Sequence, residues 1–344
     1  MLLSARLIRK TALSTLVSVW AFAASAVMAA EVNLYTTREA GLVRPLLDSF
    51  TARTGVRVNT VFLKDGLAER VAAEGANSPA DLLMEVDVSA LVNLAERGVT
   101  QPVRSTLLES AVPANLRDSS GNWFALSLRA RTLYTVKTGG PTTFNYEDLA
   151  DPKWKGKVCV RAGQHPYNTA LIAHMIARDG EARTEQWLRG VKSNLARKAG
   201  GGDREVARDI MGGICDVGLA NSYYVGLMRS GAGGPDQQKW GEAIGVVLPT
   251  FANGGTHVNI SGAAVAKNAP NKDNAIKLLE YLVSDEAQAI YAKANFEYPV
   301  KKGAPIEAVI GRLGTLQVDA KPMAEIARHR KAASILVDKV GFDN

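Results

Sequence analysis

The sequence predicts an α/β protein built as two lobes with a cleft between them, and three features of the chain support this prediction. Its 344 residues fit two domains of roughly 100 to 200 residues each. Segments with a hydrophobic period of two alternate with segments of period 3.6, which is the pattern of parallel strands joined by helices. A hydrophobic fraction of 47% and a charged fraction of 22% are ordinary for a globular protein.

The first thirty residues are set apart from this pattern. Basic residues up to Lys10 precede an uncharged apolar stretch over 11–27, and the small residues Ala29 and Ala30 follow. This order is typical of a secretory signal peptide over 1–30, with cleavage after Ala29 or Ala30. A membrane anchor is the alternative, but serines interrupt the stretch and it is shorter than the about 20 residues that a spanning helix needs. The mature protein is therefore expected in the periplasm.

Charge and cysteine content narrow the class further. The signal segment holds three of the 41 basic residues and none of the 34 acidic ones, so its removal lowers the formal net charge from +7 to +4. No dense Lys/Arg run with interleaved aromatics follows, and nucleic acid is not an expected partner. The two cysteines, Cys159 and Cys215, are even in number and destined for an oxidising compartment, which favours a disulfide over a thiol nucleophile.

The first predicted lobe opens with a strand, helix, strand unit. Residues alternate around Val32 and Leu34, which predicts a strand, and apolar residues recur at helical spacing over 42–50. Pro45 is expected in the first turn of that helix and Gly55 at its end. The pattern continues with a strand over 56–62, a helix over 67–74, a strand over 81–86 and a helix that Ser89 caps and Gly98 ends.

A second α/β block starts near Arg131. Its predicted elements are a strand over 158–160, a helix over 169–178 and a strand over 215–220, with a later strand over 258–266, a helix stripe over 275–283 and a helix capped by Ser284. The chain is expected to cross between lobes near Arg131, Val258 and Val300. The predicted division is 1–30 signal peptide, 31–131 with 258–300 as the N-terminal lobe, and 132–257 with 301–344 as the C-terminal lobe.

Common enzyme signatures are missing from the sequence. It has no metalloprotease His motif, no nucleophile elbow and no nicotinamide fingerprint, and the glycines at 200–202 lack the ending of a phosphate loop. The histidines lack zinc-type spacing and are expected to be surface or packing residues: His165, His174, His257 and His329. The sequence therefore carries no motif that assigns it to one of these enzyme classes.

A pair of adjacent tyrosines marks the candidate site. Asn221-Ser222-Tyr223-Tyr224 comes directly after the apolar run 217–220, which ends a predicted strand, and ligand crevices of α/β proteins lie at such strand ends. At the turn out of a strand both phenols can converge on one point. Alone the pair is weak, because neighbouring tyrosines are more often packing or surface residues.

The mature chain resembles the periplasmic ferric-ion-binding proteins of bacterial iron-uptake transporters along nearly its whole length. Tyr167 together with Tyr223 and Tyr224 is the specific part of this resemblance, and several other segments are shared by many solute-binding proteins. The segments that carry it are 34–39, 78–81, 123–131, 151–157, 165–168, 223–224, 261–265, 285–288 and 297–299. The resemblance implies the two-lobed periplasmic binding protein fold of type II, with a central cleft and hinge crossovers.

The resemblance also implies a site and a cargo. In that family the paired tyrosines bind ferric iron through phenolate oxygens, and in some members a third tyrosine joins them, which here is Tyr167. Fe(III) is a hard cation that prefers anionic oxygen, and its binding drives off phenol protons whose ordinary pKa is about 10. Oxygen ligands also discriminate against softer divalent ions. The implied partner is the permease of an ABC transporter, and the implied state is a monomer.

One half of the family site departs from the pattern. Many members carry a histidine shortly after the first strand, whereas this chain has Glu39 and Ala40. The metal must then be completed by Glu39, by water or by a small anion, and likeness to three-tyrosine members favours carbonate. Arg129 stands where relatives hold the synergistic anion, and a guanidinium suits a planar carbonate. The weaker candidates for the anion are Arg38, Arg131 and Asn168.

The cysteines fit the same lobe, since Cys159 precedes Tyr167 and Cys215 precedes Tyr223. A bridge between them would hold the three phenols in register. Two other functions stay open at this point. One is a protein of the same fold that binds a small organic or inorganic anion, with Arg129 as its main contact. The other is a secreted enzyme with a cysteine nucleophile.

Overall fold

The computed structural model of the protein describes residues 30–344, so residues 1–29 of the predicted signal peptide lie outside the described range. The strands are β1 Glu31–Thr36, β2 Arg57–Phe62, β3 Leu82–Glu85, β4 Phe124–Val136, β5 Val158–Cys159, β6 Val217–Asn221, β7 Ile244–Val247, β8 Val258–Val265 and β9 Tyr298–Pro299. The helices are α1 Ala40–Thr54, α2 Leu67–Glu74, α3 Val88–Glu96, α4 Thr106–Ala111, α5 Pro166–Asp179, α6 Glu181–Ser193, α7 Asp203–Met211, α8 Tyr223–Arg229, α9 Pro235–Ala243, α10 Lys272–Leu282, α11 Asp285–Asn295, α12 Ala308–Gly311, α13 Met323–Arg328 and α14 Arg330–Val340. In the described range no helix is long and apolar enough to cross a membrane.

Strand β4 joins two groups of strands. Its first part pairs antiparallel with β8 and β9, and β8 leads on to β3, β1 and β2. Its second part, from Arg131 onward, pairs antiparallel with β6 and β7, and β6 pairs parallel with β5. We call β1, β2, β3, β8, β9 and the start of β4 the first sheet, and β5, β6, β7 and the end of β4 the second sheet.

The strands near the centre of each sheet are covered on both faces. Every residue of β3, β6 and β8 is buried, which explains why these strands lack the alternation of buried and exposed positions that a half-exposed strand shows. The helix over 67–74 is confirmed residue for residue as α2. Ser284 caps α11 as predicted, since its hydroxyl accepts a hydrogen bond from the Ala287 N–H at 3.2 Å.

Two local predictions are wrong. Asp87 rather than Ser89 caps α3, because the Asp87 carboxylate accepts the Ser89 N–H at 2.8 Å and the helix begins at Val88. Pro45 lies inside α1 rather than in its first turn, because the helix already begins at Ala40, directly after the loop that follows β1. Without an N–H, Pro45 cannot bond to the carbonyl one turn earlier.

The C-terminal segment, for which the sequence predicts no element, forms two helices that contact both halves of the molecule. Helix α13 packs against α3, which flanks the first sheet, and against α5, which flanks the second. Helix α14 packs against α5 and α6. Arg330, at the start of α14, bonds to the carbonyl of Pro166 at 3.0 Å and pairs with Asp87 at 3.4 Å. This segment therefore ties the start of α5 to the start of α3.

Candidate metal centre

The paired tyrosines lie where β6 ends and α8 begins. Strand β6 ends at Asn221, Ser222 follows with helical backbone angles, and Tyr223 and Tyr224 are the first two residues of α8. Their ring centroids lie 4.1 Å apart with the planes tilted by 33°. The turn from strand to helix thus places both rings on the same side, whereas within a strand they would point to opposite faces.

Tyr167 is brought to the same place by the start of α5. Pro166 occupies the first helical position, and His165 caps the helix because its Nδ1 accepts the Tyr167 N–H at 3.2 Å. Burial and the nearby Arg161 lower the pKa of His165 to about 4, so its ring is neutral at neutral pH and Nδ1 is free to accept. His165 therefore positions Tyr167 rather than standing alone as a surface residue.

The three phenols form one cluster. The hydroxyl oxygens of Tyr167 and Tyr223 lie 3.2 Å apart. Burial, together with the phenols of Tyr167 and Tyr224, raises the pKa of Tyr223 well above its usual value. Burial and the neighbouring Tyr167 raise the pKa of Tyr224 to about 12. Tyr223 and Tyr224 are therefore protonated at neutral pH unless a cation displaces their protons.

A buried carboxylate behind the cluster connects the segments that carry the tyrosines. Asp203, the first residue of α7, accepts from Arg131 Nη1 and from the Asn221 N–H, each at 2.7 Å. Arg131 also donates through Nη2 to Asn168 Oδ1 at 2.6 Å. Asn168 is next to Tyr167, and Asn221 is two residues before Tyr223. One ion pair thus fixes the position of both tyrosine-bearing segments.

Arginine side chains flank the outer faces of the rings. The guanidinium carbon of Arg161 lies 5.0 Å from the ring centroid of Tyr167, and Arg161 also pairs with Asp203 at 3.2 Å. The guanidinium carbon of Arg204 lies 5.6 Å from the ring centroid of Tyr224. Positive charge beside an aromatic ring becomes more favourable when the phenol carries negative charge.

The phenols line one wall of a cleft of about 420 Å³. The residues that line it from the second sheet and its helices are Tyr167, Arg204, Tyr223, Tyr224 and Leu227, and those from the first are Thr37, Arg38, Glu39, Leu42, Val86, Arg129, Ala294, Asn295 and Glu297. No three His, Cys, Asp or Glu side chains are grouped for a metal among residues 30–344. The three phenols are instead a group of ionisable oxygens that lines this cleft together.

Two of the predicted anion residues lie in this cleft wall. Arg129 donates through Nη2 to the carbonyls of Val86 and, at 2.9 Å, of Ile260, while its Nε has no partner in the described part of the chain. Arg38 pairs with Glu297 at 2.6 Å and donates to Ser261 Oγ at 3.3 Å. Glu39 is exposed at the start of α1 and makes no capping bond, so its carboxylate is free to turn toward the cleft.

The other two predicted anion residues are directed inward. Asn168 donates to the carbonyls of Arg161 and Ala162 at 2.9 and 3.1 Å and accepts from Arg131, so its amide is fully occupied and does not line the cleft. Arg131 is 1% exposed and held by Asp203, Asn221 and Asn168. Both serve the framework behind the phenols.

Helix α8 packs closely against Phe296 at Gly226. A Cβ built at Gly226 would fall closer than 3.0 Å to the ring of Phe296, which follows α11. We expect Gly226→Ala to lower the free energy of unfolding by about 1 to 3 kcal/mol through overpacking, and to weaken ligand binding because α8 carries both paired tyrosines. Chemical denaturation measures the first effect. Gly212→Ala is the matched control, because that site is exposed with no contact under 3.4 Å, and an equal effect there would contradict the explanation.

The predicted disulfide is present. Cys159 of β5 is bonded to Cys215, which precedes β6, with Cα atoms 5.9 Å apart. Both cysteines of the chain are used in this bridge. No thiol is then left as the nucleophile that the alternative enzyme hypothesis requires.

Sequence reasoning missed Asp203, Arg161, Arg204 and Asn295. Asp203 follows the glycines at 200–202, and that sequence is typical of a turn before a helix, so its carboxylate reads as a helix-start residue. Nothing local signals its pairing with Arg131 in β4. Arg161 and Arg204 likewise look like surface charges, because nothing near them in the sequence signals their contacts with Tyr167 and Tyr224.

Comparisons with known proteins agree with this arrangement. The family described as bacterial extracellular solute-binding protein matches residues 77–311. Iron uptake protein A1 of Synechocystis sp. is 40% identical over 315 residues, covering 91% of this chain and 87% of that protein. The solved structure of a Bordetella ferric binding protein is 65% identical, with a TM-score of 0.89 and coverage of 91% of this chain and 100% of that one.

A third similar protein has a bound ligand in its structure. The solved structure of a Trichodesmium protein in complex with iron and citrate is 42% identical, with a TM-score of 0.86, and the match covers 91% of this chain and 99% of that one. The predicted α/β binding-protein fold of type II is confirmed by these structures. The chain belongs to the bacterial extracellular solute-binding proteins, in the family of the periplasmic ferric-ion-binding proteins.

Proposed function

We propose that this protein captures ferric iron in the periplasm, with Tyr167, Tyr223 and Tyr224 as the metal ligands. The observation that carries the proposal is the convergence of three phenols in one cleft, with two hydroxyl oxygens 3.2 Å apart. Three phenolates neutralise the charge of Fe(III), and the hard cation prefers such anionic oxygen donors. The names of the relatives, iron uptake protein and ferric binding protein, support the same cargo.

A ferric titration tests this function. Iron-free protein titrated with ferric salt in bicarbonate buffer should develop a visible phenolate-to-iron charge-transfer band that saturates at one iron per chain. The rival function, a binding protein for a small anion, rests on Arg38 and Arg129 in the cleft wall. That rival predicts anion binding without iron and no visible band on adding ferric salt.

The anion that accompanies iron is proposed to bind at Arg129 and Arg38. Both arginines line the cleft from the side of the first sheet, whereas the three tyrosines line it from the side of the second sheet. A planar oxyanion such as carbonate matches the paired N–H donors of a guanidinium. Glu39 is a further candidate ligand, since its exposed carboxylate lies in the same wall.

Capture is proposed to occur by closure of the two lobes around the cleft, with the chain crossing between them near Arg131, Val258 and Val300. The proposed lobes are 31–131 with 258–300 and 132–257 with 301–344. The pairing of β4 with β8 in one part and with β6 in the other supports a crossing at Arg131. The loaded monomer would then deliver iron to the permease of an ABC transporter.

We expect iron affinity to fall as pH falls. The pKa of Tyr224 is raised to about 12 and that of Tyr223 is raised well above its usual value, so each of these neutral phenols must lose a proton before it binds iron as a phenolate. With up to three protons released per iron, affinity should drop by as much as about a thousandfold per pH unit. Competition with a chelator of known pH dependence between pH 7 and 5 measures this. Iron retention that stays constant to pH 5 would contradict phenolate ligation.

A further inference from the structure

Asn295 has an unusual position in the cleft. It is the last residue of α11 and lines the cleft on the side of the first sheet. The residue is only 3% exposed. Neither Nδ2 nor Oδ1 of its amide has a hydrogen-bond partner among residues 30–344.

Glu297, two residues after Asn295 in the same cleft wall, has hydrogen-bond partners within the protein. Glu297 accepts from Arg38 at 2.6 Å and from the Ser127 hydroxyl, so this carboxylate is fully paired inside the protein. Roughly 90% or more of buried polar groups in folded proteins have such partners, because an unpaired buried group loses its bonds to water and gains nothing. An amide with both polar atoms unpaired at the cleft wall therefore indicates a partner that is not part of the chain.

The chemistry of the cleft restricts that partner. Guanidinium groups offer only donors and phenolates only acceptors, whereas a side-chain amide offers both donors and an acceptor. Three tyrosines leave coordination positions on iron that another oxygen ligand must fill. We propose that Asn295 contacts, through its amide, the anion or water oxygen that completes the coordination of the iron. This inference rests on the ferric-binding function proposed above.

The test uses Asn295→Leu, which keeps a similar shape and removes both polar atoms. The iron-free variant is expected to melt at the same temperature as wild type or higher, because an unpaired buried amide has been removed. Its affinity for Fe(III), measured against EDTA, is expected to fall about tenfold. A loss only in bicarbonate buffer identifies the anion as the partner, and a loss in bicarbonate-free buffer as well identifies water. Asn295→Ala gives the same expectation for iron if the leucine variant does not fold.

Tyr291→Phe is the matched control. Tyr291 lies one turn earlier on α11, its buried hydroxyl also has no partner in the described range, and it does not line the cleft. Removal of the Tyr291 hydroxyl should leave the affinity for iron unchanged. Wild-type iron affinity of Asn295→Leu in both buffers, or an equal loss in Tyr291→Phe, would overturn the inference. Tyr224→Phe in the same series separates this failure from failure of the proposed function, since it loses iron only if the phenols are ligands.

Discussion

Replacing Tyr224 with phenylalanine is expected to remove most of the affinity for ferric iron and to weaken the visible charge-transfer band. Phenylalanine keeps the ring, which packs 4.1 Å from that of Tyr223, and removes only the oxygen. The loss should exceed the roughly 10- to 100-fold that removal of an outer-shell partner costs a metal site, because here a ligand itself is lost. Tyr223→Phe should behave alike, and the double variant, which keeps only Tyr167 of the three phenols, should bind iron more weakly still.

The fold should survive these changes. The raised pKa values of both phenols show that the protein keeps them neutral without iron, so removing a hydroxyl removes no buried charge. Tyr281→Phe is the matched control, since Tyr281 lies on α10 against Phe50 and outside the cleft. Equilibrium competition with a chelator measures the affinities. Full iron affinity in Tyr224→Phe would show that this phenol is not a ligand.

Replacing Asp203 with asparagine is expected to give the largest loss of stability among the charged residues discussed. The Asp203 side chain is fully buried and pairs with Arg131, itself 1% exposed, and with Arg161. Breaking a buried ion pair by removing one partner leaves the other charge buried and uncompensated, which typically costs about 3 to 5 kcal/mol. Denaturant unfolding of the iron-free protein should show a decrease of this size.

Asp203→Asn should also weaken iron binding. Asp203 bonds to the backbone of Asn221, and Arg131 bonds to Asn168, so the loss should also let the tyrosine-bearing segments shift. Asp236→Asn is the control, because Asp236 and Lys239 are largely exposed and 3.8 Å apart, and such pairs contribute about 0 to 1 kcal/mol. A change in Asp203→Asn no larger than in the control would refute the positioning role of this ion pair.

Features that depend on neighbours along the chain could be predicted from the sequence. Tyr223 and Tyr224 follow an apolar strand, and the end of a strand is where α/β proteins place ligands, so their region was identifiable. Ser284 can be predicted as a helix cap because its hydrogen-bond partner, the Ala287 N–H, lies only three residues later in the chain. Ser89 and Asp87 cannot be told apart in this way. Both residue types cap helices, and only the backbone geometry decides that Asp87 caps α3.

Features that depend on distant contacts could not be predicted. Arg131 meets Asp203 across 72 positions, and this pairing turns a candidate anion residue into part of the framework. Asn168 likewise looks available in the sequence, but the turn before α5 directs its amide to backbone carbonyls. Asn295 reads as an ordinary polar residue at a helix end, and only its burial in the cleft wall reveals an unpaired amide.

The most direct test of the ferric site is an iron-edge anomalous difference map from crystals of the mature protein grown with ferric salt and bicarbonate. The proposed function predicts one strong peak in the cleft, within coordination distance of the phenolate oxygens of Tyr167, Tyr223 and Tyr224. A peak elsewhere, or bound anion density at Arg129 with no anomalous signal beside the tyrosines, would contradict it.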